Sequence, residues 1–179
     1  EDDLPVPVSP YGVTKLAAEH LVRLYTANYG LHTVSLRYFT VYGPRQRPDM
    51  AFHRIIRAAL TGSEFVLFGT GEQTRDFTYI SDIVAANIAA AQNGQPGGVY
   101  NLGGGSQVSM NQVISLIEEI TQRKLNVRRA SRERGDVTHT GASVERARRD
   151  LNFSPKVSLR EGLETEVCYI RDVVLPLGV

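Results

Sequence analysis

Tyr11 and Lys15 stand four residues apart in the run Ser9-Pro10-Tyr11-Gly12-Val13-Thr14-Lys15. Ser9 is a good helix N-cap, and Pro10 suits the first helical position because its missing N–H would have no partner there. A helix therefore starts at Pro10. Residues four apart on it share a face with Cβ atoms about 5–6 Å apart, so the Lys15 ammonium lies beside the Tyr11 phenol. A phenol titrates near ~10, so ionising it at neutral pH takes a shift of about 3 units, or about 4 kcal/mol in favour of the phenolate. A neighbouring cation acts in that direction and makes the phenol a proton carrier for a hydroxyl. The plainer alternative is an exposed helix that carries a Tyr and a Lys with no chemistry, and the rest of the chain decides between them.

The elements that must hold this pair alternate between helix and strand. Pro10 to Tyr29 reads as a helix closed by Gly30, with an apolar stripe of Leu16, Ala17, Leu21, Leu24 and Tyr25 widened by Ala18 and Val22. Such a width predicts a second contact surface. Val34 to Phe39 has the β-branched and aromatic character of a buried, parallel strand, and Phe39 and Thr40 fall at its carboxyl end, where open α/β sheets place ligands. A helix over 51–61 follows, with Phe52, Ile55, Ile56, Ala59 and Leu60 inward, Arg54 and Arg57 outward, and Gly62 as its stop. Then come a strand over 65–68, a turn over 69–71, an extended stretch over 76–80, and a helix capped by Ser81 that runs to about Asn93. Val99 to Leu102 is a further strand of the main sheet. Gly103-Gly104-Gly105-Ser106 lacks a Walker lysine and the G-x-G-x-x-G spacing, so it reads as a turn between strand and helix. Ser109 with Gln112 forms a capping box, Leu125 to Arg129 a strand, Ser143 to Leu151 a short helix, and Ser158 with Glu161 caps the last helix. The sum is an α/β chain. Residues 1–43 and 76–102 complete a doubly wound sheet, 44–75 and 103–174 form a smaller lobe, and the cleft lies between them.

Bulk properties exclude several classes. The 179 residues carry 42% hydrophobic and 22% charged side chains and a net charge of +1, which commits the chain to neither nucleic acid nor membrane. Nine Lys and Arg against three acidic residues crowd positions 123–149, either as solvated surface or as an anion site. A single Cys168 rules out an internal disulfide and reads as a small packing residue in a helix. His20, His32, His53 and His139 are scattered without ligand spacing, so no metal site is expected. With no long apolar stretch or signal peptide in view, the cytoplasm is the default.

Three strings occur in order: Ser9 to Lys15, then His32-Thr33-Val34-Ser35-Leu36-Arg37-Tyr38-Phe39-Thr40-Val41-Tyr42-Gly43-Pro44-Arg45, then Gly69-Thr70-Gly71-Glu72-Gln73-Thr74-Arg75-Asp76-Phe77. Together they resemble the extended short-chain dehydrogenase/reductases, in the nucleotide-sugar epimerase/dehydratase branch, and the likeness runs from Pro7 to about Arg171. The resemblance implies a Rossmann-type fold, NAD as cofactor and a UDP-sugar as substrate. It implies that Tyr11 is the general base and acid, with Lys15 lowering its pKa and bonding the nicotinamide ribose, and that Tyr38 and Phe39 lie near the cofactor. Arg75 is the implied diphosphate ligand, against a surface pairing with Asp76 or Glu72. A second contact is implied at Arg132-Glu133-Arg134-Gly135-Asp136, where Arg134 is chosen over Arg132 and Asp136 either accepts from a ribose hydroxyl or caps a turn. Thr40 stands where many relatives carry Asn, Arg47 either meets the sugar or phosphates or is solvated, and Phe65 and Leu67 present backbone groups or a wall to the uracil, or fill the core. The family's dimer implies a homodimer through the Pro10–Tyr29 helix, against burial of that helix by upstream sequence.

Relatives open with a glycine-rich cofactor turn, whereas only ten residues precede Tyr11. The expectation is the C-terminal half of such an enzyme, inactive on its own. The 37–48 stretch looks most like a UDP-hexose 4-epimerase. A 4,6-dehydratase, a UDP-glucuronate decarboxylase, and a fragment that binds a nucleotide sugar without turnover stay open beside it.

Overall fold

The computed structural model of the chain describes residues 1–105, 107–131 and 139–178. Six helices and seven strands occur among them: α1 (Pro10–Tyr29), β1 (Val34–Tyr38), β2 (Thr40–Tyr42), α2 (Ala51–Thr61), β3 (Glu64–Phe68), β4 (Thr74–Tyr79), α3 (Ile80–Asn93), β5 (Gly98–Leu102), β6 (Gln107–Ser109), α4 (Met110–Thr121), β7 (Asn126–Ala130), α5 (Glu145–Leu151) and α6 (Leu159–Tyr169). A π-helical turn over Ile170–Val174 and a 3-10 turn over Leu175–Leu177 continue α6.

The strands form three small sheets. β1 pairs parallel with β5, Val34 opposite Gly98 through Tyr38 opposite Leu102. β4 lies between β2, parallel to it, and β6, antiparallel to it. β3 pairs parallel with β7. Two apolar clusters hold these sheets. Ile83, Ala86, Ala90, Tyr100, Leu102, Val144, Ala147, Leu151 and Phe153 join β5, α3 and α5. Tyr42, Phe52, Ile55, Ile56, Phe65, Leu67, Phe77, Val113, Ile117 and Leu163 join β2, β3, β4, α2, α4 and α6.

Several caps follow from local chemistry. The Ser9 side chain accepts from the Gly12 N–H, and Gly30 closes α1 in the left-handed conformation. Both capping boxes form, Ser109 with Gln112 and Ser158 with Glu161. Elsewhere the packing corrects the sequence reading. α3 starts one residue before Ser81, with Tyr79 in the cap position and no side-chain cap; Asp82 in the first turn complements the helix dipole instead. α5 begins at Glu145 rather than Ser143. β2 and β4 leave the β1–β5 sheet for one of their own, while α5 packs on β5 and α3 although it falls within 103–174. β1 is parallel but only half-buried, because among the described residues it has a strand on one edge alone. Cys168 is exposed on α6 and packs into neither cluster.

The Gly103–Gly105 turn connects β5 to β6, not a strand to a helix, and its glycines answer to Asp76. That carboxylate is 2% exposed, and its Oδ1 accepts from the Gly104 N–H at 2.5 Å. Burial pushes the Asp76 carboxyl up, and the Gly104 and Gly105 amides pull it partway back. A Cβ on Gly104 would fall 1.9 Å from the Phe77 carbonyl oxygen, so no larger residue fits.

Candidate active site

α1 presents Tyr11 and Lys15 at its first turns. The Lys15 ammonium lies 5.2 Å from the centroid of the Tyr11 ring, so the two side chains converge as their spacing predicts. Tyr11 is 70% exposed and open to a ligand. The line of α1 turned toward the body is Gly12, Leu16, Glu19, Val22 and Thr26. The apolar stripe is therefore split. Leu16 and Val22 face inward, while Leu21, Leu24 and Tyr25 stay more than half exposed and α1 buries no residue.

Neighbouring residues of β1 point to opposite faces, which sorts the next candidates. Leu36 packs with the α3 and α5 cluster, and the Tyr38 hydroxyl donates to Asn87 Oδ1 of α3 at 2.7 Å. Arg37 points the other way, to Glu19 of α1. The Tyr38 side chain is thus on the face opposite Tyr11, a consequence of strand alternation. Phe39 sits at the switch where the chain leaves one sheet for another, its N–H donating to the Leu102 carbonyl at 3.2 Å. Thr40 follows at once, opposite Phe77 of β4, and Arg75 lies two residues earlier on that adjacent strand. The Arg75 guanidinium donates to the Thr74 carbonyl at 2.9 Å and is partly buried.

The loop leaving β2 begins at Gly43, with φ of 134°, where a Cβ would meet Ile80 at 2.7 Å. Arg45 holds the left-handed region at φ of 70°, a strained conformation for a residue with a side chain. Gln46 clips the loop, its Nε2 donating to the Val41 carbonyl at 3.0 Å and its Oε1 accepting from the His53 N–H at 3.2 Å. Arg47 is exposed and forks to Asp49 at 2.9 Å, a surface pair worth about 0–1 kcal/mol that a ligand can displace. Beneath Gly43 lies Glu166, 1% exposed, and no hydrogen bond of good geometry reaches either of its carboxyl oxygens among the described residues. Burial pushes its carboxyl up to about 8, the Gly43 amide pulling it partway back.

Phe65 and Leu67 are core residues, 6% and 3% exposed, with the Arg54 guanidinium over the Phe65 ring at 5.7 Å. Their side chains pack into the apolar core, and among the described residues β3 is paired on its β7 edge alone. Arg132, Arg134 and Asp136 lie outside the described residues. Sequence reasoning missed the Glu19–Arg37 fork, the Tyr38–Asn87 contact, the Asp76 cradle and buried Glu166. Each depends on pairing between distant segments that no local spacing announces.

The profile of the NAD dependent epimerase/dehydratase family matches residues 1–103. Among sequence relatives, an uncharacterized UDP-glucose epimerase of Bacillus subtilis, YtcB, is 45% identical over 167 residues, which is 92% of this chain and 52% of the relative. The UDP-glucuronate 4-epimerase of Thermodesulfobacterium geofontis is 40% identical over 176 residues, 96% of this chain and 54% of the relative. Among solved structures, UDP-glucuronic acid 4-epimerase from Bacillus cereus, in complex with UDP-glucuronic acid and NAD, superposes with a TM-score of 0.92 at 46% identity, over 97% of this chain and 56% of that one. The chain spans about half the length of the curated relatives it matches.

Proposed function

The chain belongs to the NAD-dependent epimerase/dehydratase family, and from that premise we propose that the complete protein is a UDP-sugar 4-epimerase, with UDP-glucuronate ahead of UDP-glucose as substrate. The observation that carries this reading is the convergence of the Tyr11 phenol and the Lys15 ammonium on an open helix end. The relatives named above as acting on UDP-glucuronate support the choice of sugar.

NAD suits these residues: an exposed phenol and ammonium side by side match a ribose and a reacting hydroxyl. When bound, it supplies the hydride acceptor and later the donor. Tyr11 would take the proton of the sugar 4-hydroxyl as C4 gives up its hydride and becomes a carbonyl, and would return a proton to that oxygen when, after the sugar turns over, hydride comes back to the opposite face of C4. Lys15 holds positive charge beside the phenol, favours its proton loss and binds the ribose. Phe39, at the carboxyl end of β1, would lie near the nicotinamide, and Tyr38 would contribute to that end from its α3-side position. Arg75 binds the diphosphate, Thr40 and Arg47 contact the sugar or phosphates, the outer edge of β3 at Phe65 and Leu67 receives the uracil through backbone groups, and Arg134 and Asp136 complete the nucleotide site. Residues 1–43 and 76–102 contribute to the NAD domain and 44–75 and 103–174 to the nucleotide-sugar lobe, with α5 packed back onto the former. The exposed Leu21, Leu24 and Tyr25 face of α1 makes the homodimer.

Product analysis by NMR tests the reaction. The complete protein is incubated with NAD and, separately, UDP-glucuronate, UDP-glucose and UDP-N-acetylglucosamine. Inversion at C4 alone is expected, fastest with UDP-glucuronate. Loss of water or of carbon dioxide would replace this reading with a dehydratase or a decarboxylase.

A further inference from the structure

α1 is held to the body by few polar ties. Near its C-terminal end the Thr26 and Thr33 hydroxyls meet at 2.5 Å, and Thr33 donates to the Val22 carbonyl at 3.1 Å. Toward the end that bears Tyr11 and Lys15, the nearest tie among the described residues is a fork: Arg37 Nε and Nη2 donate to the two carboxylate oxygens of Glu19, each at 2.8 Å. Glu19 lies one helical turn beyond Lys15 and two beyond Tyr11, on the same flank of α1. Arg37 lies on β1 immediately before Tyr38 and two residues before Phe39. Both partners are partly sheltered, with side chains 31% and 13% exposed. Each strengthens the other's charge: the Arg37 hydrogen bond holds the Glu19 carboxyl below its ordinary value, and Glu19 raises Arg37.

A bidentate fork fixes an angle as well as a distance, since two parallel N–H···O bonds resist twisting where a single ammonium contact would not. Within this chain α1 buries no residue, and among the described residues the fork is its one bidentate tie to β1. Leverage makes the angle matter. Eight residues separate Glu19 from Tyr11, about 12 Å along the axis, so a tilt of about 5° at the fork moves Tyr11 by about 1 Å. A misplacement of about 1 Å costs reactions of this type up to ~100-fold in rate.

We propose that Glu19 and Arg37 are positioning residues that set the angle at which α1 presents Tyr11 and Lys15 to the carboxyl end of β1. The inference rests on the epimerase reading for its catalytic consequence. Its test uses the complete protein with Arg37→Lys, which keeps the charge and loses the fork, and with Glu19→Gln. Both variants are expected to lose about tenfold or more in kcat while KM for the UDP-sugar and bound NAD content stay near wild type. Because Tyr11 and Lys15 ride on one helix, the pH profile of kcat keeps its shape and falls at every pH, whereas Lys15→Ala changes that shape. Amides 10–19 are expected to exchange hydrogen faster in both variants. A kcat within twofold of wild type, or unchanged exchange over 10–19, overturns the proposal even where the melting temperature falls. A wild-type protein that converts no UDP-sugar refutes the epimerase reading instead, and the exchange measurement then judges the tie by itself.

Discussion

At the scale of single residues, Tyr11 and Lys15 were legible because a helix start and a four-residue spacing are local facts, and the structure brings the pair together as that spacing requires. Tyr38 was less so. Its direction depends on which face of β1 meets α3, and only Asn87, forty-nine positions away, reveals it. Two residues invite measurement. Arg75→Ala in the complete protein is expected to weaken UDP binding about tenfold or more by calorimetry, the scale of a charge-assisted hydrogen bond; unchanged affinity would remove Arg75 from the diphosphate site. Glu166 gives a pH prediction. Burial raises its carboxyl from the ordinary 4.5 to about 8 in the folded chain, so between those values the native state keeps a proton that the unfolded state has lost. Stability therefore falls as pH rises through that window, at up to about 1.4 kcal/mol per pH unit, and levels off above it. Glu166→Gln is expected to flatten that slope in urea melts at pH 5, 6.5 and 8, and an equal slope in both proteins would place the titration elsewhere.

At the scale of elements, helices with strong punctuation were readable and short strands were not. Ser9, the two capping boxes, Gly30 and Gly62 each satisfy a helix end through neighbours in sequence, so both limits of α1, the end of α2 and the starts of α4 and α6 followed from local chemistry. β2 and β6 are three residues each and exist only because β4 runs between them. A three-residue strand has no period to read, and its pairing is a tertiary fact. The Gly103–Gly105 turn shows the same limit: its composition announced a turn, but the buried carboxylate that it wraps belongs to β4. Gly104→Ala is expected to destabilise the complete protein by about 2 kcal/mol or more, since the added methyl cannot occupy the space of the Phe77 carbonyl. An unchanged urea midpoint would mean that the turn relaxes at little cost.

At the scale of the whole molecule, the fold class was legible from the alternation of helices and strands, and the solved Bacillus cereus epimerase carries the same arrangement over 97% of this chain. The assignment of segments to lobes was less legible, because α5 crosses back to the β1–β5 sheet through contacts of Ala147 and Leu151 that sequence distance hides. The width of the α1 stripe predicts a second contact surface, and its exposed Leu21, Leu24 and Tyr25 face sets a prediction for assembly. Leu24→Arg in the complete protein is expected to halve the mass measured by light scattering, and a mass equal to that of wild type would move the dimer contact away from α1. The most direct measurement is the rate of C4 inversion of UDP-glucuronate by the complete protein, followed by NMR, for wild type and Tyr11→Phe. Removal of one hydroxyl is expected to abolish inversion while UDP-sugar affinity stays within about 1.5 kcal/mol, the scale of one neutral hydrogen bond. Inversion at the wild-type rate by Tyr11→Phe would contradict the role given to the Tyr11–Lys15 pair.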